Sequence, residues 1–169
     1  MKIKKVNLNN RKKHFEIITS KQEYIYPYVK LRLKPTSANK INSVYVDKEL
    51  ANEAFTYVLS SGEEDSVHID QVLDYNKDPV YLTEMLIYRL TLLLQENVKS
   101  SDISLRQIAE TLGTSPAQIT RLLDQTNYNK SVQQMLTILH LLNCHIEFTE
   151  VDSKYKTSKY PLRKKLAHV

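Results

Sequence analysis

The sequence predicts an α+β protein, with a small N-terminal antiparallel β-rich domain followed by an all-α domain that ends in a short strand. Three observations predict it. Residues 2–69 alternate apolar and polar side chains in short runs; residues 79–142 repeat apolar residues at three- and four-residue spacing; the change falls at Asp74-Tyr75-Asn76-Lys77-Asp78-Pro79. The expected divisions are a β-rich domain at 1–76, a helical domain at 77–151 that contains a helix-turn-helix at 105–123, and a flexible basic tail at 152–169.

Residues 2–8 roughly alternate, and residues 14–19 follow a polar break at Asn9-Asn10-Arg11. Over 24–33, Val29, Leu31 and Leu33 share one face, while Pro27 has no N–H to donate and marks an edge, a bulge or a break. Residues 43–46 and 67–69 read as further short strands. The stretch 47–60 is ambiguous, because Glu49-Leu50-Ala51-Asn52-Glu53-Ala54 favours helix and Phe55-Thr56-Tyr57-Val58-Leu59 favours strand. One small sheet with one short helix or helical turn is expected.

Asp78 before Pro79 is an N-cap and first-turn pair, so a long helix runs from there to about Asn97. Leu82, Met85, Leu86, Leu90 and Leu93 make its stripe, and Ile87, Leu92 and Leu94 widen it to most of the circumference. Such a helix packs against two neighbours or a second copy of itself. Ser104 caps the next helix, 105–112. Gly113-Thr114-Ser115-Pro116 is a turn, and Ser115, Pro116 and Gln118 stand at the N-cap, N1 and N3 positions of a capping box that opens the helix ending at Leu123. A polar loop at 124–130 leads to a helix at 131–142, and residues 145–151 alternate as a strand.

Composition narrows the function. With 169 residues, 41% of them hydrophobic and 25% charged, the chain suits one or two small domains. Only two glycines exclude dinucleotide and P-loop phosphate sites, which need several. The single cysteine excludes an internal disulfide and a Cys-rich zinc site, and fits a reducing compartment, the cytoplasm. Polar residues follow Met1-Lys2-Ile3-Lys4-Lys5, so no secretory leader is expected, and Glu84, Arg89 and Glu96 interrupt the apolar run that a membrane span would need. Of the net charge of +5, residues 1–13 and 152–169 supply +11, so 14–151 carry −6. Basic ends on an acidic body suit arms that meet nucleic acid, or solubilising tails.

Several clusters of reactive side chains stay below the threshold of a site. His140, Cys144 and His145 lack the further ligands of a tetrahedral metal set, so a buried Cys with incidental histidines is expected. His68 and Asp70 share a strand face without a nucleophile nearby. Glu63-Glu64-Asp65 follows Gly62 as a solvated hairpin turn. Tyr24, Tyr26 and Tyr28 alternate as an aromatic face packed on the long helix, with base stacking the alternative. No catalytic residue, metal or cofactor is expected.

One stretch carries a function. In Leu105-Arg-Gln-Ile-Ala109-Glu-Thr-Leu-Gly113-Thr-Ser-Pro-Ala-Gln-Ile119-Thr-Arg-Leu122-Leu, the small Ala109 lets two helices cross, Gly113 permits positive φ at the reversal, and Ile108, Leu112, Ile119 and Leu122 lock the pair. On the second helix Ile119, Leu122 and Leu123 point inward, and Ala117, Arg121 and Asp124 point away. The stretch 104–151 resembles the Cro/repressor-type helix-turn-helix family, the xenobiotic-response-element-like regulators that include antitoxins of the HigA kind. Ser131, Leu136, Leu139 and Leu142 loosely resemble that family's following helix, and residues 146–148 its dimerising extension. Residues 2–75 are distantly similar to small bacterial β-rich domains of unknown function.

The resemblance implies a bacterial, sequence-specific DNA-binding transcription regulator, antitoxin-like, acting as a homodimer on double-stranded DNA. It implies that Ala117, Gln118 and Arg121 read base edges with Thr120 beside them, and that Thr114, Ser115, Asn127, Asn129 and Lys130 meet phosphate. Against it stands the local charge, since three basic residues face five acidic ones in 101–151. The alternative is a protein-interaction module, binding a toxin or a phage component, whose helix-turn-helix does not bind DNA.

Overall fold

The computed structural model describes residues 1–147. The chain is an α+β protein in which strands precede helices. Instead of one small sheet there are two antiparallel three-stranded meanders, β1 (Ile3–Asn9), β2 (His14–Thr19) and β3 (Glu23–Pro27), then β4 (Ile41–Asp47), β5 (Ala54–Leu59) and β6 (Glu64–His68). β1 lies beside β4, and the Ile3 N–H donates to the Asn52 carbonyl at 2.8 Å. Both meanders face one core, where the Phe15 ring sits 4.7 Å from that of Phe55 and 4.9 Å from that of Tyr28. The central strand β5 buries four successive residues, Ala54 to Tyr57. Ala54 and Thr56 face away from that core, beside exposed Tyr45 and Ser66, and are buried because they are small, central in the sheet and, for Thr56, bonded to Asp47 and Ser66.

The expected run through 24–33 divides at Pro27. β3 stops there, Tyr28–Lys30 forms a 3-10 turn, and Val29 is 71% exposed while Leu31 is buried. The short helix lies elsewhere than 47–60. Asp47 Oδ1 accepts from the N–H groups of Glu49 and Leu50, fixing a turn in which Ala51 and Asn52 take positive φ, so the helical propensity of 49–54 is overridden. The helix is instead α1 (Ile69–Asn76), where a strand ending at Ile69 was expected. His68 is its N-cap, its Nδ1 accepting from the Asp70 N–H at 3.3 Å, so His68 and Asp70 do not share a strand face. The three tyrosines are core, as expected, but they do not form one face on the long helix: Tyr24 bonds Asp78, Tyr26 meets Tyr75 of α1 edge-on at 5.8 Å, and Tyr28 lies 4.9 Å from Phe15.

The long helix α2 (Pro79–Ser100) begins as read and runs a few residues further. Asp78 Oδ1 accepts from the Tyr81 N–H at 3.0 Å and Oδ2 from the Tyr24 hydroxyl at 2.8 Å, which fastens the helix start to β3. The second apolar cluster joins Leu90 and Leu94 of α2 to α3 (Leu105–Thr111), α4 (Pro116–Leu123) and α5 (Val132–Leu141). α2 therefore enters both clusters, with Tyr81 against the first and Leu90 onward in the second. No strand forms over 144–147, and the remainder of that expected strand and the basic tail lie outside the described residues. Among the described residues no helix is long and apolar enough to cross a membrane.

Candidate nucleic-acid interface

The α3–α4 pair is set by short-range chemistry at each end. A capping box opens α3: the Gln107 N–H donates to Ser104 Oγ at 3.3 Å, and the Ser104 N–H donates to Gln107 Oε1 at 2.8 Å. At its other end Gly113 takes φ +61°, its N–H donating to the Glu110 carbonyl while the Thr114 N–H donates to that of Ala109 at 2.9 Å. This paired closure satisfies the last carbonyls of α3 and turns the chain over the buried Ala109. α4 then starts at Ser115, whose Oγ accepts from the Gln118 N–H at 3.2 Å. The expected reciprocal bond from the Gln118 side chain does not form among the described residues, so only α3 has the full box. Ile108, Ala109, Ile119 and Leu122 are all 2% exposed or less, and these four seal the pair.

Burial of Ile119 and Leu122 turns the rest of α4 outward. Ala117, Thr120 and Arg121 are exposed on it, Ser115 is exposed at its start, and Thr114 and Gln118 are half-buried. Arg121 enters no salt bridge among the described residues, whereas the Thr120 hydroxyl donates back to the Pro116 carbonyl at 3.1 Å. In the following loop the structure separates the residues that were grouped as phosphate contacts. Asn127 is spent on loop shape, its Nδ2 donating to the Arg121 carbonyl and its Oδ1 accepting from the Asn129 N–H. Asn129 is exposed. Lys130 reaches inward instead, its Nζ donating at 2.7 Å to the hydroxyl of the fully buried Thr91 on α2. Burial lowers the Lys130 pKa, with Asp124 pulling it back up.

The positions that hold α4 in place were not singled out in sequence. Gln95 of α2 donates through Nε2 to the Leu123 carbonyl at 2.7 Å and accepts from Gln125, so one side chain caps the end of α4 and ties it to the long helix. Its signal was only that of a polar residue interrupting an apolar stripe.

The charge reading changes with the fold. Lys4 and Lys5 are exposed on β1, Lys2 just before it, and Arg11, Lys12 and Lys13 in the β1–β2 turn, so the first basic segment belongs to the first meander. Residues 1–47 hold eleven Lys and Arg against three acids, and residues 48–147 hold seven against fourteen. Near α4, Asp124 stays strongly acidic because the Thr126 N–H and then its hydroxyl donate to the carboxylate. His140 and His145 approach edge-on at 6.1 Å with Cys144 half-buried between them in sequence, and no group of three or more metal-binding side chains occurs among the described residues. The chain matches no family model, and the searches of curated proteins and of solved structures return nothing similar to it.

Proposed function

We propose that the chain is a cytoplasmic DNA-binding regulator that reads the major groove with α4. The observation that carries this reading is the exposure of Ala117 and Arg121, one turn apart near the start of a helix whose opposite side is sealed by Ile119 and Leu122. A helix presented in this way can lay its first turns into a groove about 12 Å wide. Arg121 suits guanine, and Gln118 suits adenine. Ser115 and the backbone N–H groups at the start of α4 suit phosphate. Lys130, tied to Thr91, has no part in it. The reading is of a binding protein and not of a catalyst.

Two recognition helices from a homodimer would gain affinity and symmetry. Leu82, Leu86 and Leu92 are each 38% exposed or more along α2. They share that side with Arg89 and Glu96, groups of opposite sign that an antiparallel second copy can pair.

A second reading is a protein-interaction module. The acidic excess over 48–147 favours it, because counterion release drives much of DNA affinity and this part of the chain has little to offer. Selection of bound fragments from a genomic library at moderate salt separates the two. Enrichment of one site supports DNA reading, and Arg121→Ala and Gln118→Ala should each weaken binding to it by about 1–3 kcal/mol. Absence of any enriched site, with a stoichiometric protein co-purifying, overturns it in favour of the module.

A further inference from the structure

At the end of the first meander lies a cleft of about 880 Å³, between the β1–β2 turn, the 3-10 turn after β3 and the loop that precedes β4. Its size is that of a small-ligand site. Its floor and one wall are apolar, from Pro27, Tyr28, Val29 and Pro35. Four lysines line it, Lys12 and Lys13 from one side and Lys34 and Lys40 from the other, and among the described residues no carboxylate does. Among the described residues none of these four ammonium groups is in a salt bridge. The carboxylate nearest in sequence to the turn, Glu16, feels the charge of Lys12 but is engaged by Asn9 Nδ2 at 2.7 Å and by His14.

The walls are fixed by bonds that leave the lysine side chains out. The Tyr28 N–H donates to the Lys13 carbonyl, the Tyr28 hydroxyl donates to Asn10 Oδ1, and Lys13 itself takes φ +54°. On the other side Asn39 Nδ2 donates to Ser61 Oγ while its Oδ1 accepts from the Ser61 N–H, and the Lys40 carbonyl accepts from the N–H and the hydroxyl of Ser60. The Tyr57 hydroxyl bridges Leu33, donating to its carbonyl at 2.8 Å. A loop fastened in this way brings Lys34 and Lys40 to the cleft that Lys12 and Lys13 line, with no counter-charge among the described residues. Gathering four like charges on a surface costs free energy unless an anion occupies the space between them.

We infer that this cleft binds an organic phosphate, its ring lying on the apolar floor and its phosphoryl oxygens held by Lys12, Lys13, Lys34 and Lys40. Four cations call for a ligand with several negative charges, and the apolar floor calls for one with a flat unpolar body; a nucleotide has both. The grip is through side chains, so the glycine loop that this chain lacks is not required. Tyr28 is buried with its hydroxyl occupied, so the cleft offers no free ring on which successive bases of a strand would stack, and a single small ligand fits better than a nucleic acid.

The test is calorimetric titration of the full chain with the four nucleoside triphosphates, inorganic triphosphate, adenosine and a 20-base-pair duplex. The expected result is binding of at least one nucleoside triphosphate, on the order of tenfold tighter than triphosphate and than adenosine. Lys34→Glu with Lys40→Glu should abolish it at an unchanged melting temperature, and Lys34→Arg with Lys40→Arg should retain most of it. Four outcomes overturn the inference. Triphosphate binding as tightly as any nucleotide leaves only a basic patch. Charge reversal without effect places the ligand elsewhere. Duplex displacing nucleotide while losing its own affinity in the reversed variant makes a nucleic-acid backbone the occupant. Failure of all nucleotides to bind also overturns it, and none of these results bears on whether α4 reads DNA.

Discussion

Asp78 is the residue whose role is best defined by its surroundings. It is 7% exposed, caps α2 through Tyr81 and receives the Tyr24 hydroxyl. The Tyr81 N–H is the main reason its pKa lies below the ordinary 3.8; the Tyr24 hydroxyl adds to this, and burial opposes it. Because the folded value is depressed, the stability contributed by the ionised group is present above about pH 4 and is lost as pH falls through the folded pKa. Asp78→Asn keeps the shape without the charge, so the drop in melting temperature between pH 7 and pH 3 should be smaller than in the parent chain. Asp78→Ala should cost about 2–3 kcal/mol by denaturant unfolding, since it removes a cap and leaves the Tyr24 hydroxyl without its acceptor. The cap could be read from Asp78-Pro79 alone. Its bond to Tyr24 could not, because it spans 54 residues and depends on where β3 is laid. Lys130 shows the same limit: a lysine in a polar loop has the composition of a phosphate contact, and only the packing of Thr91 beneath it turns it inward.

Among elements, α1, α3 and α5 end in the same way, each with one residue of positive φ that lets two successive N–H groups return to the last carbonyls. The residue is Lys77, Gly113 or Asn143. Only Gly113 announced itself in sequence, because glycine alone adopts that conformation without cost from Cβ, whereas a lysine carries no such mark. The space around Gly113 is open, so Gly113→Ala should lose about 1 kcal/mol from backbone strain alone and Asn143→Gly should gain about 0.5–1 kcal/mol, both readable as thermal shifts. The α3–α4 pair is legible for the same reason: its spacing rests on local demands, a small buried residue between the helices, a glycine at the reversal and a serine at each helix start. The division of the strands into two meanders was not. Which strand lies in the middle depends on the other strands, and the local pattern of 55–59, which reads as a strand, carries no sign that it is the central one of its meander.

At the scale of the whole molecule, two apolar clusters share one helix. Leu94 is fully buried in the helical cluster, so Leu94→Ala should cost about 2–5 kcal/mol there. Hydrogen exchange should then accelerate at the amides of α3, α4 and α5 while β2 and β5 keep their protection; equal loss throughout would show that the clusters unfold as one. The charge divides elsewhere, basic through residue 47 and acidic from there to residue 147, so the change falls inside the first cluster, between β4 and β5. A basic start of the chain was visible in composition, and its place on β1 and the adjacent turn follows from Ile3 and Val6, which bury one face of that strand and leave its lysines outside.

The continuity of α2 makes the molecule a lever. Its base is pinned to the first meander by the Tyr24 hydroxyl, and its far half grips the end of α4 through Gln95. At 1.5 Å per residue its 22 residues span roughly 33 Å, so a tilt of about 5° at the base displaces the far end by about 3 Å, the length of one hydrogen bond. The aim of α4 is thereby set by a tyrosine nearly a hundred residues before it. A change of shape in the first meander need not touch the exposed side of α4 to move it.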